Sequence, residues 1–451
     1  MAEITTTFET SIKKLLEQKK FNSLKDILTT MHPADIAILF EGLPKQKLAL
    51  LFRILPKELA AEAFVEMESN LQQMLIDGFS DRELKDILDE LYMDDTVDLI
   101  EEMPANVVKR ILSQADPDTR RLINEMLMYP EDSAGSMMTT EFVDLRPDMT
   151  ASDAVDHIRA TGIDKETIDI CYVTDTKRKL VGATSIRSII LAAKDTKISE
   201  IMDTHVISVN THEDQETVAQ IFAKYGFTAI PVVDTENRLV GIVTVDDAID
   251  VMQEETTEDI SKMAAITPQD KPYFQLSIFE IWKSRIPWLL ILMVSATFTG
   301  MIISHFENAL AKYIILTSFI PMLMDTGGNS GSQSSVTIIR GLSLQQIQFS
   351  DILRVVWKEA RVAVLCALSL SVVNFAKLML FDRVGVSVAL VVCITLSATV
   401  FVAKIIGCTL PMLAKKLGFD PAVMASPFIT TIVDALSLII YFSTASAILG
   451  I

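Results

Sequence analysis

The strongest constraint on this chain lies beyond residue 286, where five apolar runs follow one another: 286–304, 313–324 with a polar continuation to 340, 362–381, 386–413 and 423–449. About 20 such residues, at 1.5 Å of rise each, make a helix that crosses a bilayer. Five crossings put the two ends of this region on opposite sides of a membrane. Lys283, Arg285, Arg340, Arg354, Lys358, Arg361, Lys415 and Lys416 gather at one set of ends, and only Lys312 and Arg383 at the other. By the positive-inside rule the first set is expected in the cytoplasm, with the C-terminus outside.

The remainder is unlike this. Of the 59 acids and 40 bases, residues 1–271 hold 51 and 28. An acidic part that repels nucleic acid and attracts cations is thus joined to an apolar, slightly basic one. The stretch 1–30 is polar and helical in pattern rather than a secretory leader, so the acidic part is expected to stay cytoplasmic. Cys171, Cys366, Cys393 and Cys408 have no paired spacing and read as small buried hydrophobes.

Two places in the apolar region are costly. Asp434 lies about eleven residues into an apolar run that starts at Ala422, roughly 16 Å of rise and near a membrane midplane. A carboxylate there costs about 2.5–3.5 kcal/mol on insertion scales, so water, a counter-charge or a bound cation must offset it. The second run continues as Asp325-Thr-Gly-Gly-Asn-Ser-Gly-Ser-Gln333. Such polarity at depth survives only in a protein interior or facing water. Gly327, Gly328 and Gly331 either form a helix-packing seam or turn backbone carbonyls toward an ion path; a seam alone leaves Asp325, Asn329 and Gln333 unexplained, so all six are candidate pore residues. Lys377 can snorkel from the outer end of its span. For the deeper Lys404, snorkelling and pairing with a carboxylate both stay open.

Residues 1–130 repeat every twelve positions: Leu43, Leu55, Met67, Phe79, Leu91 and Met103 are evenly spaced, and Pro44, Pro56 and Pro104 follow three of them. One short amphipathic helix and a turn per unit cannot bury a core alone, so the units are expected to stack into a superhelix. Glu62, Asp94, Asp95 and Asp98 lie on these helices, as solvated surface or as cation ligands.

Between 131 and 253 a strand–helix–strand–strand–helix pattern occurs twice, each with Leu-Val-Gly (ending at Gly182 and Gly241). It resembles a pair of CBS domains, most strongly in Gly241-Ile-Val-Thr-Val-Asp-Asp247. That resemblance implies clefts for adenine nucleotides, with ATP the expected ligand and Asp247, Arg187 and Phe227 the residues around it. Ser188 stands where the first motif would carry the ribose-binding acid. Empty, purely structural clefts remain the alternative. Seven acids then crowd positions 246–259, where on a helix they would repel one another. Past Pro268 and Pro272, residues 274–285 with Trp282 read as a helix at the membrane surface.

Together these features resemble the MgtE family of magnesium channels, above all in Thr326-Gly-Gly-Asn-Ser-Gly-Ser-Gln333 and Asp420-Pro…Ser426-Pro…Asp434. The resemblance implies a multi-domain membrane protein. Its parts would be a superhelical α-helical N-domain (1–130), an α/β tandem CBS pair (131–253), an acidic connecting helix with an interfacial segment (254–285) and a five-helix pore domain (286–451). It implies a homodimer in the cell membrane that passes Mg²⁺ by Asp434 of both subunits. High internal Mg²⁺ would close it by binding Glu62, Asp94, Asp98, Asp214, Glu216, Asp246, Asp247, Asp250, Glu255, Glu258, Asp259 and Asp420. Gly226 falls where the family pattern suggests an acid. No Gly-x-x-x-x-Gly-Lys-Ser/Thr motif is present, so transport is expected to follow the gradient. The competing expectation is a nucleotide-regulated transporter of Co²⁺, Ni²⁺ or another solute. An intramembrane metalloprotease would need His-Glu-x-x-His, and His305 is the sole histidine of the apolar region. An anchored scaffold without transport leaves Asp434 unexplained.

Overall fold

The computed structural model describes residues 11–269, 271, 273–424 and 426–450. Residues 1–10 of the polar N-terminal stretch and Pro272 lie outside these. The chain forms two compact units, Met1–Met252 and Gln253–Ile451. The division falls inside one helix, Val245–Met263.

In the first unit, helices begin at Phe21, Pro33, Lys45, Lys57, Ser69, Asp81, Met93, Ala105 and Pro117, twelve residues apart each time. Proline sets several starts, because its fixed φ suits the first turn and its missing N–H is not needed there. It is the first helical residue at Pro33 and Pro117 and the residue before the helix at Pro44, Pro56 and Pro104. Ser80 and Glu83 close another start as a capping box. The turn residues Leu43, Leu55, Met67, Phe79 and Met103 are buried. Helices of eight to ten residues are marginal alone, so packing holds them. Each touches the next but one (Pro33–Glu41 with Lys57–Val65, Lys57–Val65 with Asp81–Leu88, Asp81–Leu88 with Ala105–Gln114), giving the stacked array the repeat predicts.

The core continues from these helices into the doubled α/β region, through Met138, Val209 and Ala248. Two three-stranded sheets share one topology. Asp144–Leu145 pairs parallel with Ile170–Thr174, which pairs antiparallel with Leu180–Ser185. Val209–Asn210, Ala229–Val233 and Leu239–Thr244 repeat the arrangement. The halves exchange edges: Thr139, ahead of the first motif, bridges Ile242 of the second sheet, and Asp203, ahead of the second, bridges Ala183 of the first. This close approach explains the glycine of each Leu-Val-Gly. A Cβ on Gly241 would lie 2.7 Å from both Met138 Sδ and the Thr139 carbonyl, and one on Gly182 would lie 2.7 Å from Met202 Sδ.

The second unit is helical. Among the described residues, four stretches are long and apolar enough to cross a membrane: Ile278–His305, Phe349–Leu380, Val386–Lys416 and Pro421–Leu449. The fifth long helix, Ile320–Ser343, has the length (24 residues) but is too polar to join them on composition. It follows a 3-10 turn at Ile314–Phe319, so the apolar run from 313 is not one continuous span. Residues 274–285 do not form a separate surface helix. A capping box at Ser277 and Glu280 starts Ile278–His305, which continues unbroken through Pro287. Val386–Lys416 packs against Ile320–Ser343, Ile352–Leu380 and Ser426–Leu449.

Candidate ion path and acidic clusters

The helix Ile320–Ser343 presents two unlike faces. Gly327, Gly328 and Gly331 are buried. An added Cβ would lie 2.8 Å from Val433 at Gly327, 2.8 Å from Thr430 at Gly328 and 2.6 Å from Ile429 at Gly331. The glycines are therefore a seam that lets the last helix approach closely. Asp325, Asn329 and Gln333, four residues apart and so on one stripe of the helix, are exposed. The question left open by the sequence thus divides by face. Asp434 is half-buried on Ser426–Leu449, and the Asp325 carboxylate is near enough for its charge to act on it. Because the run from Ala422 opens with a 3-10 turn, Asp434 lies only eight residues, about 12 Å, into its helix.

A second group of acids gathers in the first unit around the buried Asp94. The helix Met93–Glu102 carries Asp94, which is 7% exposed, together with Asp95 and Asp98. Burial, reinforced by Asp95 and Asp247, raises Asp94 well above the usual carboxylate range. Burial and then Asp247 and Asp246 push Asp95 up to about 7. Asp98, on the exposed side of that helix, moves the same way, through burial and then Asp247 and Asp95. Glu166, missed in the sequence because it lies in an unremarkable loop, is pushed to about 7 by burial and by Asp95, Asp246 and Asp247. Asp247 itself goes to about 6, since burial outweighs the hydrogen bond from Thr244 Oγ1 at 2.6 Å. Among the described residues, no three carboxylate, imidazole or thiolate groups come close enough to hold one metal ion directly.

Other candidate acids are placed differently. Glu62 is exposed on Lys57–Val65, three repeats before Met93–Glu102. Asp214 caps Gln215–Tyr225, accepting from the Glu216 and Thr217 amides at 3.0 and 3.4 Å, while Glu216 accepts from Gln220. Gly226 ends that helix at φ +67°, a conformation that an acid would adopt only with strain. Asp250 is exposed, and burial followed by Asp246 raises it. Glu255 is half-buried further along the connecting helix. At that helix's end, Lys262 Nζ lies 2.5 Å from Glu258 and 2.7 Å from Asp420. Ser343 Oγ donates to Asp259 at 3.3 Å. Met263 packs with Ile339 and Ala422, so apolar contact and charge hold this foot together.

Of the nucleotide candidates, Phe227 stacks on Tyr225 at 5.4 Å. The next carbonyl, Thr228, accepts from the Val245 amide, which sets Phe227 beside the helix start that bears Asp247. Arg187 is exposed on the short helix Ile186–Leu191 of the first motif, where the Ser188 hydroxyl pairs with Ser185. All four cysteines are free thiols. Lys377 pairs with Asp382 at 2.8 Å, and Lys404 is buried rather than snorkelling.

The segments that carry these features each match a family model: residues 31–132 the MgtE intracellular N domain, 134–195 and 198–254 CBS domains, and 320–444 a divalent cation transporter, MgtE. The magnesium transporter MgtE of Thermus thermophilus is 36% identical over 97% of this chain and 98% of its own length. The chain belongs to the MgtE family. The magnesium transporter MgtE of Bacillus subtilis is 33% identical over 96% of this chain and 95% of its own. Among solved structures, the cytosolic domain of the Mg²⁺ channel MgtE in complex with ATP is 37% identical, with a TM-score of 0.52, over 54% of this chain and 99% of its own. The soluble part of a magnesium transporter matches with 31% identity and the same TM-score, over 56% and 99%. The MgtE relatives are transporters rather than enzymes, and the N-domain and CBS pair resemble MgtE structures already solved.

Proposed function

We propose that this MgtE-family chain carries Mg²⁺ into the cytoplasm down its electrochemical gradient as a homodimer in the cell membrane, and that internal Mg²⁺ closes it. The observation that carries the reading is the polar stripe Asp325, Asn329 and Gln333 on a membrane helix whose other face is closely packed, with Asp434 near enough for Asp325 to act on it. Mg²⁺ is small, hard and reluctant to shed water, so one carboxylate from each of two subunits would hold it through its own waters. Such a grip selects an ion and still releases it. In this reading Ile320–Ser343 is the fifth span, the N-terminus is cytoplasmic and the C-terminus is outside.

The regulatory half rests on the acids gathered around Asp94 and Asp247. Asp94, Asp95, Asp98, Asp246, Asp247 and Glu166 repel one another as bare anions, and hydrated Mg²⁺ among them would relieve that repulsion. Ions that bind the closed arrangement more tightly shift the population toward it. Asp214, Glu216, Asp250, Glu255, Glu258, Asp259, Asp420 and Glu62 are the outlying members of this proposed sensor. ATP is proposed as a second effector at Asp247, Phe227 and Arg187, supported by the ATP named for the similar cytosolic domain. The deciding experiment is Mg²⁺ uptake into proteoliposomes. Asp434→Asn is expected to remove uptake while the protein still inserts, and normal uptake would refute the path.

A further inference from the structure

Among the described residues of the membrane unit, one basic side chain is buried. Lys404 is 4% exposed in the interior of Val386–Lys416. Its Nζ donates to Ser334 Oγ at 3.4 Å, and Ser334 Oγ donates to Glu359 Oε2 at 2.6 Å. Ser334 is 2% exposed and Glu359 is half-buried. The three residues belong to three different helices, Val386–Lys416, Ile320–Ser343 and Ile352–Leu380. Lys404 and Ser334 each lie within one turn of a close helix crossing, where an added Cβ on Gly407 would run into the backbone of Gly331. An ammonium at such depth is expensive unless paired, and the nearest compensation is a carboxylate reached through one hydroxyl.

We infer that Lys404, Ser334 and Glu359 form a charge-balanced clamp behind the proposed path, and that this balance sets how tightly the path holds a divalent ion. The inference rests on the path reading. Ser334 directly follows Gln333 in sequence but lies on the buried side of the helix, while Gln333 is exposed. The clamp's charges are therefore separated from the stripe by about one helix diameter, roughly 10 Å. Fields reach that far inside a membrane protein with little screening, and a divalent ion feels them twice as strongly as a monovalent one. The clamp residues touch no ion. They are positioning residues, acting through the helix and through the field.

The test is uptake into proteoliposomes over a Mg²⁺ concentration series, with melting in detergent as the measure of folding. Glu359→Gln leaves an unbalanced positive charge, and the half-saturating Mg²⁺ concentration is expected to rise roughly tenfold, an interaction change that matches one decade in affinity. Lys404→Met leaves an unbalanced negative charge, and that concentration is expected to fall several-fold. The double variant is expected to return within about twofold of the parent. A merely structural brace would lower melting temperature and maximal rate in both single variants and leave half-saturation alone. That result, or shifts in the same direction, overturns the clamp. If the single variants fail to fold, Ser334→Ala keeps both charges and removes the bridge; half-saturation is expected to stay within about twofold of the parent, and a roughly tenfold shift there overturns charge balance as its cause. Asp434→Asn run in parallel separates the two ideas, because normal uptake by that variant removes the path whatever the clamp variants do.

Discussion

The acids around Met93–Glu102 and those at the end of the connecting helix face one electrostatic problem and meet it in opposite ways. In the first group, the charges acting most strongly on Asp94, Asp95 and Glu166 are other carboxylates. In the second, Lys262 sits between Glu258 and Asp420. The first group needs something from solution to settle it, a proton or a cation. The second carries its own cation on a side chain. The proposed regulation by a dissolved ion falls mainly on the first arrangement, because Lys262 already offsets part of the carboxylate charge in the second.

The largest effect should come from separating path from sensor. Asp434→Asn is expected to cut Mg²⁺ uptake about a hundredfold, the size of a loss of about 2.7 kcal/mol, with Mg²⁺-dependent protection of residues 93–102 unchanged in hydrogen exchange. Asp94→Asn with Asp247→Asn should do the reverse, keeping uptake at low internal Mg²⁺ and losing its closure at millimolar Mg²⁺. Two variants with the same phenotype would erase the distinction.

Next in size is the pH response. Asp95 and Glu166 titrate near 7 and Asp247 near 6 when folded, above their ordinary values of 3.8, 4.5 and 3.8. The folded state therefore binds more protons than the unfolded one between about pH 4 and 7, and its stability falls as pH rises through that window. In chelator, exchange at residues 93–102, corrected for intrinsic rates, should quicken about tenfold between pH 5.5 and 8. Millimolar Mg²⁺ should flatten the slope, and a slope of the opposite sign would contradict the burial of these acids.

Lys262→Ala tests the other side of the comparison. The ion pairs are partly exposed, so less than about 1 kcal/mol is expected to go. Cleavage of residues 246–263 by added protease in chelator should rise several-fold, and Mg²⁺ should now suppress it where before it had little to add. The smallest change is expected from Glu62→Gln, which should shift the closing concentration of Mg²⁺ by less than about twofold. A larger shift would draw that exposed residue into the sensor.

Much of this is legible in the sequence. The twelve-residue period is readable because each unit contributes one helix and one buried turn residue, so spacing maps directly onto helix starts. The doubled α/β pattern is readable for a similar reason, down to the glycine that each half needs. What the sequence does not disclose are contacts between residues far apart in it. Glu166 feels the charge of Asp95, and Ser334 meets Lys404 across 70 positions, with no periodicity to mark either pair. The separate interfacial helix expected at 274–285 is absent because amphipathic and apolar segments join without a break. There a capping box at Ser277 matters more than the change in composition.

The exchanged edges of the two CBS motifs carry a consequence for how this region can be cut or rebuilt. Since Thr139 completes the sheet containing Ile242 and Asp203 completes the sheet containing Ala183, neither copy is self-sufficient. A fragment ending between the motifs would keep its own three-stranded sheet but lose the bridge that the other motif supplies. The two copies are thus joined at both edges rather than merely set in tandem.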